Sequence, residues 1–306
     1  MLSAKPWKAE AIIRLMMSVM VCVYAGSVLV GAGHYVTAGG KAGPWLFYPL
    51  AAVATVCLAV TLILIGRPWP AEVFGRRMVT LLVCAYSGLF LGAWVQRLAG
   101  ESAAEASIWR MVLATLCFQG AGLFLIARFL RQQQSTLTEG FGLLNRPRQA
   151  VLLGLVVALI FLPVGWGLQQ ASALVMTHLS HFKLEPQEQL PVHALRVSVS
   201  WGGRLAFGAA AILLVPVTEE MLFRGILYPA VKQFGYPRLA LWSTSLLFAA
   251  IHMNAVTFVP LATLALVLTM LYERTDNLLA PITTHVLFNA LNFATLLVIQ
   301  QVGGHE

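Results

Sequence analysis

Long apolar runs separated by short polar segments dominate this 306-residue chain. Nine runs can be distinguished, at 11–33, 45–65, 78–96, 109–127, 149–169, 203–230, 239–254, 256–272 and 278–299. Most are close to the roughly 20 residues that an α-helix needs to cross the hydrocarbon core of a bilayer. The pattern predicts an all-α fold, a polytopic membrane helix bundle with about eight or nine transmembrane helices.

The composition supports this fold class and limits the kinds of partner to expect. Hydrophobic residues make up 59% of the chain and charged residues 10%, whereas about 25% of a soluble domain is charged. The formal net charge of +8 could suggest nucleic acid, but the basic residues are scattered singly and in pairs between apolar runs. We expect the lipid bilayer as a partner and no nucleic acid.

The distribution of basic residues predicts an orientation. If the N-terminus is cytoplasmic, thirteen of the 20 Lys and Arg lie in inside segments and six in outside segments, with Arg224 inside an apolar run. This bias favours a cytoplasmic N-terminus. We expect a multi-pass protein of a bacterial inner (plasma) membrane. Nine spans would place the C-terminus outside, and one merged or re-entrant span would reverse that end.

Two longer polar connections, 128–148 and 170–202, suggest a division of the chain. Residues 1–148 form an N-terminal four-helix membrane region with a cytoplasmic linker, to which we assign packing, stability or substrate access. Residues 149–202 add a membrane helix and an external loop, residues 203–299 form the core that carries the candidate chemistry, and 300–306 are a C-terminal tail.

Adjacent acids, Glu219 and Glu220, lie inside an apolar run and precede Arg224 by five and four residues. A carboxylate at bilayer depth is costly and needs a partner or a function. Residues four apart share one helix face, so Glu220 and Arg224 can pair. Glu219 points about 100° away and is freer to react.

Two later helices repeat the four-residue spacing, with Phe248 and His252 on one and His285 and Asn289 on the other. A glutamate in an apolar pocket suits a general base that activates water, and His and Asn side chains can donate to an oxyanion. This combination predicts peptide hydrolysis without a covalent nucleophile. A serine mechanism is less supported, because the chain has no Gly-x-Ser-x-Gly turn.

The three motifs, Glu-Glu-x-x-x-Arg, Phe-x-x-x-His and His-x-x-x-Asn, resemble the signature of the CPBP family of intramembrane proteases. That family includes the type II CAAX prenyl endopeptidases and bacterial immunity-protein-like members. The resemblance covers about 90 residues, without departure at the seven motif positions, and implies that 203–299 is a CPBP-like catalytic core.

The resemblance also implies residue roles. Glu219 would activate water with help from His252, and His285 and Asn289 would form the oxyanion site. The implied supporting residues are Glu220, Arg224 and Phe248. The implied activity is that of an intramembrane glutamic endopeptidase, a CAAX protease-like hydrolase. Its substrate would be a membrane-associated peptide or protein, with a lipidated substrate as one form.

Two alternatives remain open from the residues. Glu219, His252 and His285 could ligate zinc and leave a fourth position for water, although the chain has no His-Glu-x-x-His helix. Our expectation is that no cofactor is needed, with zinc as the alternative. The second alternative is a non-catalytic membrane immunity or binding protein on the same scaffold.

Overall fold

The computed structural model describes residues 7–37, 108–179 and 200–303, with single positions outside these ranges. The predicted runs at 45–65 and 78–96 and most of the predicted external loop lie outside the described residues. The chain divides into two compact units. Unit 1 comprises Met1–Trp7, Ser107–Gln119 and Ile126–Glu306, and unit 2 comprises Lys8–Ala106 and Gly120–Leu125. The predicted domain boundaries stay a prediction.

The continuously described segments contain helices and no strand, which confirms the predicted all-α class. In chain order the helices are α1 (Ala9–Thr37), α2 (Ile108–Gln132), α3 (Leu137–Phe141), α4 (Pro147–Leu179), α5 (Trp201–Gln233), α6 (Pro237–Ala250), α7 (Ala255–Thr275) and α8 (Leu279–Gly303). In the described residues, five of them are long and apolar enough to cross a membrane: α2, α4, α5, α7 and α8. The protein is therefore an integral membrane protein.

Helix α6 differs from the span predicted at 239–254. It has 14 residues, which corresponds to about 21 Å at 1.5 Å per residue. The hydrocarbon core is about 30 Å thick, so α6 is too short to cross it alone. The predicted span continued beyond the helix because Ile251 and Met253 alternate with His252 and Asn254 in the turn, and this pattern did not separate turn from helix.

Unit 2 is described mainly through α1. Glu10 and Arg14 form an ion pair at 2.5 Å one turn apart, near the start of this helix. Ile12, Leu15, Met17 and Val21 are buried.

The core of unit 1 lies where α4 packs against both α7 and α8. Phe161 of α4 joins Leu264 and Leu268 of α7 and Phe288 of α8 in one buried cluster. Close approach of α4 and α8 requires Gly154, because a Cβ there would stand 2.5 Å from the Ala280 carbonyl oxygen. This packing fixes the position of α8, which carries two of the predicted site residues.

Helix α5 is continuous but contains two π-helical turns, Ala210–Leu214 and Met221–Leu227. At their ends, the N–H of Val215 donates to the Ala210 carbonyl and that of Tyr228 to the Phe223 carbonyl, five residues back. Such turns are rare and occur frequently at functional sites. Glu219 and Glu220 lie between them.

Candidate active site

Glu220 and Arg224 form a fully buried pair in α5. Arg224 Nη1 donates to Glu220 Oε1 at 2.7 Å, and the two residues are 1% and 0% exposed. Arg224 Nη2 also donates to the Ala265 carbonyl of α7 at 3.3 Å. A buried charge is tolerated only when it is paired and hydrogen-bonded, and this guanidinium meets both conditions. The pairing expected from the spacing is present.

His285 of α8 lies between the two glutamates. Its Nδ1 is 2.9 Å from Glu220 Oε1, and its Nε2 is 3.8 Å from Glu219 Oε2. An ionised carboxylate only accepts hydrogen bonds, so Nδ1 carries the proton in this contact. The Nε2 distance is too long for a direct hydrogen bond. Glu220 therefore orients the imidazole ring, and Glu219 keeps its oxygens available.

Glu219 differs from its neighbour in exposure. Its side chain is 19% exposed, whereas that of Glu220 is 0% exposed. Glu219 makes no side-chain hydrogen bond to another described residue, whereas Glu220 accepts from both an arginine and a histidine. Glu219 is thus the carboxylate that an incoming molecule can reach.

Phe248 lies in contact with the charged and imidazole side chains of the site. The Arg224 guanidinium carbon stands 4.5 Å from its ring centroid, a distance that allows a cation–π attraction. The rings of His252 and His285 lie 5.0 Å and 5.9 Å away, and Phe223 packs edge-on at 5.2 Å. Phe248 itself is fully buried, so it fixes neighbouring rings and carries no exposed reactive group.

His252 lies in the turn between α6 and α7. Its Nδ1 donates to the Phe248 carbonyl at 2.7 Å, so the neutral ring presents Nε2 as an acceptor. The turn is closed by Asn254, whose side chain accepts from the Thr257 N–H and caps α7. Met253 has φ +50, a conformation that few residues other than glycine adopt. The turn thus holds His252 by its ring and its backbone.

A shallow, open cavity of about 390 Å³ borders this turn. Small and apolar side chains line most of it: Ala249, Ala250, Met253, Asn254, Ala255 and Phe258. His252 precedes Met253 in the chain but does not line the cavity, whose surface suits an apolar group.

Asn289 of α8 is tied to the first π turn of α5. Its Nδ2 donates to the Ala211 carbonyl at 3.0 Å. In π register that carbonyl would accept from residue 216, but Pro216 has no N–H. The asparagine supplies the missing donor and so fixes α8 against α5. One amide hydrogen is used in this contact, and the second can face a ligand.

The six motif side chains from Glu219 to His285 form one chain of contacts, with Asn289 attached to α5 one turn beyond His285. The catalytic roles stay predictions. In the part of the chain that the structure describes, no three His, Cys, Asp or Glu side chains converge in a way that could hold a metal ion.

Sequence reasoning missed a contact at the other end of α5, where the Trp7 indole donates to the Gly225 carbonyl at 3.2 Å. The available signal was Pro229, four residues after Gly225, because a proline inside a helix leaves a carbonyl without its usual donor. Nothing in the sequence indicated which side chain would replace that donor.

Residues 201–291 match the family described as type II CAAX prenyl endopeptidase Rce1-like. The resemblance stated from the motifs is therefore confirmed for this segment. The chain is also 35% identical over 83 residues to the uncharacterized protein YpbD of Bacillus subtilis (strain 168). That alignment covers 26% of this chain and 40% of the relative, so the chain spans well under two thirds of the relative's length. No solved structure matches the chain.

Proposed function

We propose that this protein is an intramembrane endopeptidase that hydrolyses a peptide bond with water activated by Glu219. The likeness of residues 201–291 to the type II CAAX prenyl endopeptidases supports the class of reaction. The observation that carries the proposal is His285 between two unlike glutamates, one buried with Arg224 and one partly exposed.

Glu219 acts as the general base in the first step. It takes a proton from water while the water oxygen bonds to the carbonyl carbon of the scissile peptide, whose π electrons move to oxygen. His252, whose Nε2 is an acceptor when Nδ1 donates to the Phe248 carbonyl, orients that water. The step forms a tetrahedral oxyanion and a protonated Glu219.

The oxyanion requires donors that are already in place. Asn289 has one amide hydrogen beyond the one given to Ala211. His285 can donate from Nε2 only as an imidazolium, because its Nδ1 proton is already given to Glu220. Glu220, itself paired with Arg224, holds the ring so that Nε2 lies on the side of Glu219. Glu220 and Arg224 thus prepare His285 for its role.

Collapse of the intermediate completes the reaction. The carbon–nitrogen bond breaks, the proton held by Glu219 moves to the leaving amine, and the products are a carboxylic acid and an amine. Glu219 returns to its ionised state, so atoms and charges balance without a cofactor. The substrate is a membrane-associated peptide or protein, and the apolar cavity beside His252 suits a lipidated or apolar portion of it.

The first test is cleavage of a quenched fluorescent peptide library by the purified protein in detergent. We expect Glu219→Gln to abolish cleavage, since the amide cannot accept a proton from water, while the protein stays folded. The matched control is Glu273→Gln, because Glu273 is a half-buried glutamate that pairs with Lys232 and Tyr228 rather than with the motif residues. The control should cleave like the wild type.

Addition of a zinc chelator to the same assay tests whether cleavage requires zinc. Cleavage that survives a zinc chelator and is lost in Glu219→Gln agrees with the proposal. Cleavage lost with the chelator and restored by zinc would establish a metal enzyme instead. Equal cleavage by the wild type and Glu219→Gln would show that Glu219 is not the base.

A further inference from the structure

The carbonyl of Gly225, directly after Arg224, has lost its helical donor. In α register it would accept from residue 229, and Pro229 has no N–H. Trp7 fills this place, since its Nε1 donates to the Gly225 oxygen at 3.2 Å in a buried contact. Trp7, near the start of the sequence, thus contacts the π turn Met221–Leu227 that contains Arg224.

Packing holds Trp7 in this position. Its ring lies 5.2 Å from that of Phe129 and is 6% exposed. Its Cη2 atom stands 3.1 Å from where a Cβ of Gly140 would be. On the far side of Gly225, a Cβ would overlap the ring of Phe141. The backbone after Arg224 is therefore enclosed by two aromatic rings.

Lys5, two positions before Trp7, makes two contacts with the rest of unit 1. Its backbone carbonyl accepts from Gln233 Nε2 at 2.5 Å, at the end of α5. Its side-chain nitrogen forms an ion pair with Asp276 at 3.2 Å, after the end of α7. These contacts tie Lys5 to the ends of α5 and α7. They help to hold the nearby Trp7 indole where it donates to the Gly225 carbonyl.

The peptide group of Gly225 follows Arg224 directly, so its position decides where the Arg224 side chain starts. A buried carbonyl without a donor costs free energy, and Pro229 withholds the donor that an α-helix would supply. Without the indole, the segment after Arg224 would move until this carbonyl met another donor. The Arg224 guanidinium would then be drawn from Glu220, and Glu220 would lose the partner that fixes its carboxylate beside His285. The Trp7 donor opposes this movement because it satisfies the carbonyl.

We propose that Trp7 is a positioning residue of the active site: its indole N–H holds the peptide group after Arg224 in place and so keeps the Arg224 guanidinium on Glu220. The kinetic part of this inference rests on the proposed function, whereas its structural part does not. Trp7 touches no reacting atom and acts through Arg224 and Glu220.

The experiment compares Trp7→Phe, Trp7→Ala and Trp166→Phe. The Phe variant keeps an aromatic ring against Phe129 but has no donor, and the Ala variant loses both. Trp166→Phe is the matched control, since it removes an indole donor whose partner is the Asn292 side chain at 3.0 Å. Two quantities are measured: steady-state cleavage of the library peptide that the wild type cleaves fastest, and hydrogen–deuterium exchange of residues 221–228.

We expect Trp7→Phe to lower kcat about tenfold with KM within about twofold, because the defect lies in the catalytic arrangement and not in uniform binding. Trp7→Ala should show the same loss of kcat and a lower unfolding temperature. Exchange in 221–228 should rise in both Trp7 variants and stay at the wild-type level in Trp166→Phe. Wild-type kcat and exchange in Trp7→Phe would overturn the proposal, since packing alone would then explain Trp7.

The two proposals fail in different ways. If the wild type cleaves no peptide, or cleaves no better than Glu219→Gln, the proposed function fails and the exchange measurement decides the role of Trp7. Raised exchange of 221–228 in Trp7→Phe would then still support the view that Trp7 holds this backbone, and unchanged exchange would overturn it. If cleavage depends on Glu219 but not on the Trp7 donor, only the positioning role is lost.

Discussion

At the scale of single residues, most side chains of the site hydrogen-bond to a backbone group or pair with a charged side chain. Asn289 donates to the Ala211 carbonyl, whereas Asn292, three residues later, accepts from the Trp166 indole. Asn289 thus uses its amide nitrogen as a donor, and Asn292 uses its amide oxygen as an acceptor. Replacing each by aspartate separates these uses, because an ionised carboxylate accepts but cannot donate.

We predict that Asn289→Asp lowers the free energy of unfolding by roughly 1–3 kcal/mol more than Asn292→Asp, because it leaves the Ala211 carbonyl without a donor. Both variants add the same charge on the same helix, so their difference isolates the donor. The measurement is reversible unfolding of each purified variant in mixed detergent micelles with increasing denaturing detergent. Equal losses in the two variants would show that the Ala211 contact does not stabilise the protein.

Four-residue spacing was sufficient to anticipate the Glu220–Arg224 pair, because i and i+4 share a helix face whatever the tertiary structure. It was not sufficient for His285, whose contact with both glutamates depends on how α8 packs against α5. Trp7 was missed for the same reason, since it lies 218 positions before its acceptor. Local patterns predict local partners, and long-range partners require the fold.

At the scale of elements, the apolar runs located most ends of the long described helices to within about five residues, because the length of a run reflects the thickness of the bilayer. The exception is α4, which continues ten residues beyond its predicted run, and the short α3 lies in a predicted polar connection. The irregularities were not predictable in this way. The π turns of α5 lie near Pro216 and Pro229, and α8 and Trp7 supply donors to nearby carbonyls that these prolines leave open. The early end of α6 is followed by a turn in which Ile251 and Met253 continue the apolar pattern.

The α6–α7 turn provides a test of element geometry. Met253 has φ +50 and is 90% exposed, so it bears backbone strain and contributes little packing. Glycine adopts this conformation without a steric penalty. We predict that Met253→Gly raises the free energy of unfolding, or leaves it unchanged, because strain relief offsets the added flexibility of the unfolded chain.

Met270→Gly is the matched control. Met270 is 45% exposed inside α7, where glycine costs about 1 kcal/mol relative to a helix-forming residue. The two glycine variants should differ by roughly 1–2 kcal/mol in denaturing-detergent titrations. A loss at position 253 as large as that at position 270 would mean that the turn does not hold the left-handed conformation that places His252.

At the scale of the whole chain, the contacts of the N-terminal segment constrain the topology of unit 1. Lys5 bonds to Gln233 at the end of α5 and pairs with Asp276 after α7, so these three residues lie on one side of the bilayer. The topology predicted from the sequence agrees with this placement, because six predicted spans before residue 233 would return the chain to the side of Lys5.

The α6–α7 hairpin starts and ends on that same side. Helix α6 begins four residues after α5 ends, and Glu273 near the end of α7 contacts Tyr228 and Lys232 of α5. The side on which α8 begins is therefore the same whether the hairpin spans the bilayer or only enters it. The short α6 changes the depth of His252 and leaves the side of the C-terminus unchanged.

These constraints predict the labelling of single cysteines placed in a variant that lacks the four native cysteines. With the N-terminus cytoplasmic, Gly235→Cys should react with a membrane-impermeant maleimide only in inside-out vesicles, and Gly303→Cys only in intact cells. Met253→Cys should react slowly from both sides, since α6 spans about 21 Å of a core about 30 Å thick. Fast labelling of position 253 in intact cells would mean that the turn reaches the outer surface. Labelling of positions 235 and 303 from the same side would show that α8 does not cross.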